Sequence, residues 1–298
     1  MVNLRNLSRR LRRSRLAPPL RWIKRRLWGS EYAIRAQMDT LQSRIYRLEQ
    51  LLQSAPERPP GASAAVATLE SPAVSVVMPT HNRARYVGEA IESVLAQSFR
   101  DWELLVVDDG SEDDTRSVVA RFLVDPRIRY LHQSNRGASA ARNAGIRASR
   151  GSFIAYLDDD NVWYPDFLKK AVDVLATRPE ISLAYGALVT DIHNFHQERI
   201  LWKNFDRALL ETGNYIDTNV MVHRRSLVDA AGGWDESLKS LEDWELVLRY
   251  TRTEPAAAIN VLAAYYRHCD DTRITKLQDY QRDEGAVLAK NGDRPPAS

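Results

Sequence analysis

The sequence predicts an α/β fold: a mostly parallel central sheet flanked by helices, with an N-terminal helical, coiled-coil-like extension. Three observations carry this. From residue 73 onward, short apolar runs alternate with stretches of helical periodicity. Each of the first four apolar runs ends in a cluster of polar residues. Residues 1–72 differ in composition from everything that follows.

The elements follow in order. Residues 74–78 form a short apolar strand, and 86–97 place Ala90, Ile91, Val94 and Leu95 at helical spacing. Residues 103–107 give a second strand and 114–123 a helix with acidic residues at its start. Residues 128–132 give a third strand, and 138–148 a helix opened by Gly137. Residues 153–157 give a fourth strand. Such alternation implies right-handed crossovers, with ligands beyond the carboxyl ends of the strands. Further on, 214–223 reads as a strand and turn. Residues 242–252 form a helix with Leu246, Val247 and Tyr250 on its buried side, and 256–266 is a buried strand.

Residues 1–30 hold ten of the 42 basic residues and no acid, so the other 32 face 39 acidic residues, a net of −7. Within 4–28, Arg clusters alternate with Leu and Trp, the composition of an interfacial membrane segment. The alternatives are a solvated arm or one that binds nucleic acid, and the acidic body opposes the latter. Ile34, Met38, Leu41, Ile45, Leu48 and Leu52 make a heptad seam over 34–52, consistent with a homo-oligomeric coiled coil or a helix lying on its own domain. The domains expected are a basic arm (1–30), a coiled-coil-like helix (31–55), a Pro-rich linker (56–72), an α/β domain (73–270) and a C-terminal helix and tail (271–298).

Cys269 is the lone cysteine, so no intrachain disulfide framework exists and a reducing compartment fits. No apolar run approaches the ~18 residues of a membrane span. The basic start lacks the apolar stretch of a secretory signal. A cytoplasmic protein lying peripherally on the inner face of a membrane is the expectation.

The first four strands end in Pro79-Thr80-His81-Asn82, Asp108-Asp109-Gly110-Ser111, Asn135-Arg136-Gly137 and Asp158-Asp159-Asp160-Asn161. Three consecutive carboxylates repel one another, and a hard divalent ion, Mn²⁺ or Mg²⁺, is the natural counter-charge. Asp108 and Asp109 suit acceptance from a base N–H or ribose hydroxyls, or simple turn chemistry with a helix cap. Neither G-x-G-x-x-G nor G-x-x-x-x-G-K-[ST] occurs at the first strand, which disfavours dinucleotide and P-loop binding.

Val74-Ser-Val-Val-Met-Pro-Thr-His-Asn-Arg, Val106-Val-Asp-Asp-Gly-Ser, Gly137-Ala-Ser-Ala-Ala-Arg-Asn-Ala-Gly and Tyr156-Leu-Asp-Asp-Asp resemble the motifs of the family 2 glycosyltransferases of GT-A fold. Gly232-Gly-Trp-Asp-Glu and Leu241-Glu-Asp-Trp-Glu-Leu continue the resemblance, which spans about residues 73–268. It implies inverting transfer of a sugar from a nucleotide diphosphate, usually UDP, to a glycan or lipid-linked acceptor in cell-surface polysaccharide synthesis. Pro79, Thr80, His81, Asp108 and Asp109 would line the nucleotide pocket, and Arg142 would support the nucleotide or diphosphate. Asp158 and Asp160 would be the outer members of a D-x-D metal site, Asp160 the direct ligand, with Asp159 or Asp158 helping through water. Asp243 would be the base. Trp244 would line the acceptor pocket or sit in the core. A late His, His268, would stand near the metal, unless it is structural, and His223 is open in the same way. The family's fourth acidic position is Asn161 here. Residues 191–210, with His193 and His196, would form an acceptor wall or loop. The Gln-x-x-Arg-Trp motif of processive relatives is absent, so single addition is expected. The competing classes are a sugar-phosphate nucleotidyltransferase, which would want a Gly-rich loop where Thr80-His81-Asn82-Arg83 stands, and a catalytically retired scaffold joined through its coiled coil.

Overall fold

The computed structural model describes residues 71–192, 197–267 and 277–292. The arm, the heptad segment, residues 56–70 of the linker, His193, His196 and His268 lie outside the described residues.

The first half is built as its periodicity predicts. Strands β1 (Val74–Thr80), β2 (Trp102–Asp108), β3 (Ile128–His132) and β4 (Phe153–Tyr156) pair in parallel in the order β3-β2-β1-β4. Between them run helices α1 (Val87–Leu95), α2 (Thr115–Ala120) and α3 (Ala138–Ala148). Every residue of β1 and β2 is buried, the mark of strands covered on both faces. β1 and β2 each run past their apolar stretch, so Thr80 and Asp108 are terminal strand residues rather than loop residues. Pro79, which has no N–H to give, sits beyond the last β1–β4 pair, Val77 with Tyr156.

The second half turns antiparallel. β5 (Val162–Trp163) and α4 (Phe167–Thr177) lead to β6 (Leu183–Ile192), which β7 (Gln197–Leu201) pairs at its distal half. Within 191–210, residues 191–192 and 197–201 are strand, and α5 (Arg207–Thr212) begins before the stretch ends. The stretch read as strand and turn over 214–223 is a short 3₁₀ turn, Thr218–Val220, running into β8 (Met221–Arg224). β8 is antiparallel to both β4 and β6 and joins the two halves into one nine-stranded sheet. The chain continues through α6 (Arg225–Ala231), α7 (Glu242–Tyr250), β9 (Ala256–Tyr266) and α8 (Leu277–Gly292). β9 is parallel to β6 and antiparallel to β5. Among the described residues no helix is long and apolar enough to cross a membrane.

Two features shape the edge where the strands end. Gly145 lets α3 lie close on the sheet, since a Cβ there would fall 2.4 Å from Val77 Cγ1. Leu241, at φ 58°, is left-handed immediately before α7. A non-glycine residue adopts that conformation only when its surroundings force it.

Candidate active site

The strand ends of the first half and the start of α7 face each other across an open cleft of about 970 Å³. Pro79, Thr80, His81 and Asp109 line one part of it, Asp158 to Asn161 the floor, and Asn214, Lys239, Leu241, Glu242 and Asp243 the opposite wall.

On the first wall the two aspartates of the β2 turn part company. Asp108 does not line the cleft. Its carboxylate accepts from Ser111 N–H (2.7 Å) and Tyr130 Oη (2.5 Å), which is turn chemistry. Asp109 reaches the cleft, but its oxygens accept from Gln133 Nε2 (2.7 Å), Arg136 N–H (2.8 Å) and Gly137 N–H (2.7 Å). It therefore fixes the entrance to α3. His81 is exposed, with Nε2 3.2 Å from the side-chain nitrogens of both Asn82 and Asn135.

On the floor, the three aspartates have different partners. Asp158 is spoken for: Oδ1 accepts from Arg142 Nη2 (2.7 Å) and Oδ2 from Asn219 Nδ2 (3.1 Å), while its N–H donates to Asn219 Oδ1 (2.7 Å). Asp159 lies 3.4 Å from Arg83 Nε and Asp160 3.8 Å from Arg83 Nη2. Burial pushes Asp159 up to about 8, with the neighbouring Asp160 adding to it. Burial and the charge of Asp158 push Asp160 up to about 6. Arg83 and Arg267 leave the pair incompletely neutralised. Asn161 Oδ1 accepts from Arg267 N–H (2.9 Å), so this position ties the end of β9 to the acid cluster, and its buried Nδ2 has no partner among the described residues.

Among the described residues no three His, Cys, Asp or Glu side chains converge as a closed cation cage. Asp159 and Asp160 instead make a one-sided pair of hard oxygen donors, open to the cleft. That chemistry fits a Mg²⁺- or Mn²⁺-like ion whose remaining positions are filled by ligand oxygens and water.

Arg142 lines the cleft and is held there by the protein's own acids. It is buried, it bridges Asp158 and Glu242 Oε1 (3.2 Å), and it stacks 4.5 Å from the Trp234 ring. Its guanidinium is the link between floor and far wall.

On the far wall, Asp243 Oδ2 accepts from Asn214 Nδ2 (2.9 Å), whose own Oδ1 accepts from Ile216 N–H (3.0 Å). Burial, Glu242 and Asp217 all raise the Asp243 carboxyl above the ordinary range. Trp244 is core: it is buried and its Nε1 donates to Leu210 O (2.7 Å). His223 is also structural, lying buried between Tyr156 Oη (2.9 Å) and Arg224 O (2.8 Å), with its ring held neutral by burial at about 4. Sequence reasoning passed over Asn214, Asp217, Asn219, Glu242 and Arg83. Only Glu242, beside Asp243 in a helix start, and Arg83, in the β1 motif, carried a local signal.

A parallel nucleotide-type half joined to an antiparallel half, with acids at the seam, defines a GT-A-fold protein. Residues 75–228, about half the chain, match the family described as glycosyl transferase family 2. The chain belongs to that family. It is 30% identical over 220 residues to chondroitin synthase of Escherichia coli, a match covering 71% of this chain and 31% of that protein. It is 29% identical over 232 residues to an uncharacterized glycosyltransferase of Rickettsia prowazekii, covering 71% and 70%. The chain thus spans under a third of chondroitin synthase. Among solved structures, it resembles Staphylococcus aureus TarS 1-349 in complex with UDP (TM-score 0.62, 19% identity, 76% of this chain and 67% of that one). It also resembles the mannosyltransferase PcManGT of Pyrobaculum calidifontis in complex with GDP-Man and Mn²⁺ (TM-score 0.58, 19% identity, 89% and 76%). These likenesses show the shared fold.

Proposed function

We propose that the protein is a metal-dependent, inverting glycosyltransferase that moves a sugar from a nucleotide diphosphate, with UDP the leading candidate, to a hydroxyl of a glycan or lipid-linked acceptor. The observation that carries this reading is the placement of Asp159 and Asp160 in the same cleft as Asp243, on facing surfaces. One set of acids suits a donor diphosphate and the other an incoming hydroxyl. UDP beside TarS, and GDP-Man with Mn²⁺ beside PcManGT, support the donor class.

Asp160, with Asp159, would hold the divalent ion, which when bound offsets charge on the departing nucleoside diphosphate. The chain's own residues do the rest. The acceptor oxygen forms its bond to the anomeric carbon from the face opposite the leaving group. The bond from that carbon to the diphosphate oxygen breaks, and its electron pair leaves with the diphosphate. Asp243 takes the hydroxyl proton. Asn214, held at both ends of its amide, orients Asp243 Oδ2. The nearby charges of Glu242 and Asp217 make Asp243 more basic than a surface carboxylate.

A peripheral position at an anionic membrane, which would present a lipid-linked acceptor, is supported by the basic, Trp-containing segment 4–28. Self-association through 34–52 is supported by the heptad spacing.

The test is Asp243→Asn, assayed by nucleoside diphosphate release from UDP- and GDP-sugars with Mn²⁺ and an acceptor panel. We expect kcat to fall about 10²–10⁴-fold while UDP binding measured by calorimetry is retained. The ionised form is the base, so wild-type turnover should rise as pH climbs through the elevated Asp243 pKa, and the variant should lack that limb. Full activity in Asp243→Asn would refute the assignment.

A further inference from the structure

Resting on this reading, we infer that Asp283, on the C-terminal helix α8, is a positioning residue that holds the catalytic carboxylate of Asp243 in place. Asp283 is buried, at 2% exposure, far along the chain from every motif of the cleft. Its Oδ2 accepts from Lys239 N–H (2.8 Å), Ser240 N–H (2.9 Å) and Ser240 Oγ (3.1 Å). Its Oδ1 accepts from Arg282 Nε (2.7 Å). One carboxylate thereby pins two successive backbone amides.

The residue that follows those amides is Leu241, in its left-handed conformation, and the next two are Glu242 and Asp243. A left-handed leucine persists only where neighbouring contacts leave no alternative. Upstream the contact is Asp283. Downstream it is the first turn of α7, whose Glu245 N–H donates to Leu241 O (3.0 Å) and whose Glu242 is gripped by Arg142. The sharp turn at Leu241 sets the angle at which Asp243 enters the cleft. Two other contacts seat α8 on the same region: Lys290 pairs with Asp235, and Val287 is fully buried in the core. The side-chain bond from Arg282, ahead of the backbone bonds, keeps Asp283 at about 2, so it stays an acceptor across the working pH range.

Releasing this clamp lets Leu241 relax and moves Asp243 relative to the acceptor hydroxyl, without touching the donor side. A shift of about 1 Å in a catalytic group is enough to cost on the order of 10²-fold in rate. The experiment uses the full chain with Asp283→Ala, the isosteric Asp283→Asn, and Val94→Ala, a buried change in α1 remote from the cleft. Three quantities are compared: kcat and KM for donor and acceptor, UDP affinity with Mn²⁺, and amide hydrogen exchange by peptide. We expect both Asp283 variants to lose at least tenfold in kcat with donor KM and UDP affinity unchanged. Exchange should quicken in peptides covering 238–245 while β1 to β4 stay protected. Val94→Ala should keep kcat within about twofold of wild type.

Unchanged exchange at 238–245 would overturn the inference. So would a kcat loss matched by Val94→Ala, or loss of protection throughout the sheet in both Asp283 variants, which would make the residue a fold determinant only. Failure of the glycosyl-transfer reading has a separate signature, in which the wild type releases no nucleoside diphosphate from any donor. Quickened exchange confined to 238–245 in the Asp283 variants would then still establish the clamp on this loop.

Discussion

Asp159 and Asp160 show how cleft carboxyls can work against the stability of their own fold. Both have carboxyls raised by burial, to about 8 and about 6. A raised folded-state pKa means that the folded chain holds protons the unfolded chain has lost, so these groups favour folding at low pH and oppose it as pH rises through those values. Asp160→Asn should therefore raise the melting temperature at pH 8 without added metal, lose most of that advantage at pH 4, and lose Mn²⁺-stimulated turnover. Thermal scans at the two pH values check the sign, and a lower melting temperature at pH 8 would contradict it. The acid run itself was plain in the sequence, because three adjacent aspartates after an apolar run are a local signal. The division of labour among them was not. Asp158 is claimed by Arg142, 16 residues away, and by Asn219, 61 residues away. Glu242 meets Arg142 across 100 residues. No spacing rule reaches that far, so the acids that Arg142 bridges could not be read from the sequence.

At the scale of elements, α3 is the critical piece. Asp109 fixes its entrance through two backbone amides, Gly145 lets it lie against β1 and β2, and Arg142 projects from it to the floor of the cleft. Gly145→Ala should press Cβ against Val77 and Val107, both stiff β-branched residues in fully buried strands. The expected destabilisation is about 1–3 kcal/mol, read from the urea midpoint, with a fall in kcat as Arg142 shifts. An unchanged midpoint would mean that the helix has slack it does not show. Periodicity predicted α3 and β3 with their observed limits, because Gly137 opens the helix, Arg127 precedes the strand, and polar residues (Ser149 and Gln133) follow each. The strand and turn expected over 214–223 are present as the 3₁₀ turn Thr218–Val220 and β8, whereas the pairing of β6 with β7 inside 191–210 was not read from the side-chain pattern.

Across the whole molecule, the opposite edge of the sheet is organised around stability. Glu103, buried at the start of β2, accepts from Ser75 Oγ (2.8 Å), Arg150 N–H (2.6 Å) and the guanidinium groups of Arg129 (3.2 Å) and Arg150 (3.0 Å). These bonds overcome desolvation and hold its carboxyl below the usual glutamate range. The resulting stability is present above the unfolded-state value and is lost as pH falls through the lower folded one. Glu103→Gln should cost about 3 kcal/mol near neutrality and flatten the acid limb of unfolding, with donor binding at the far edge retained in the folded fraction. Equal acid sensitivity in variant and wild type would sink this account. The Arg142 bridge has one more consequence. It is a suture between the segment that carries the acid cluster and the segment that carries Glu242 and Asp243, so the two cannot be exchanged freely between relatives. A hybrid that grafts a foreign segment in place of the one carrying α7 must bring an acid to the place of Glu242, or it leaves the buried Arg142 with Asp158 alone and its Nη1 without an acid.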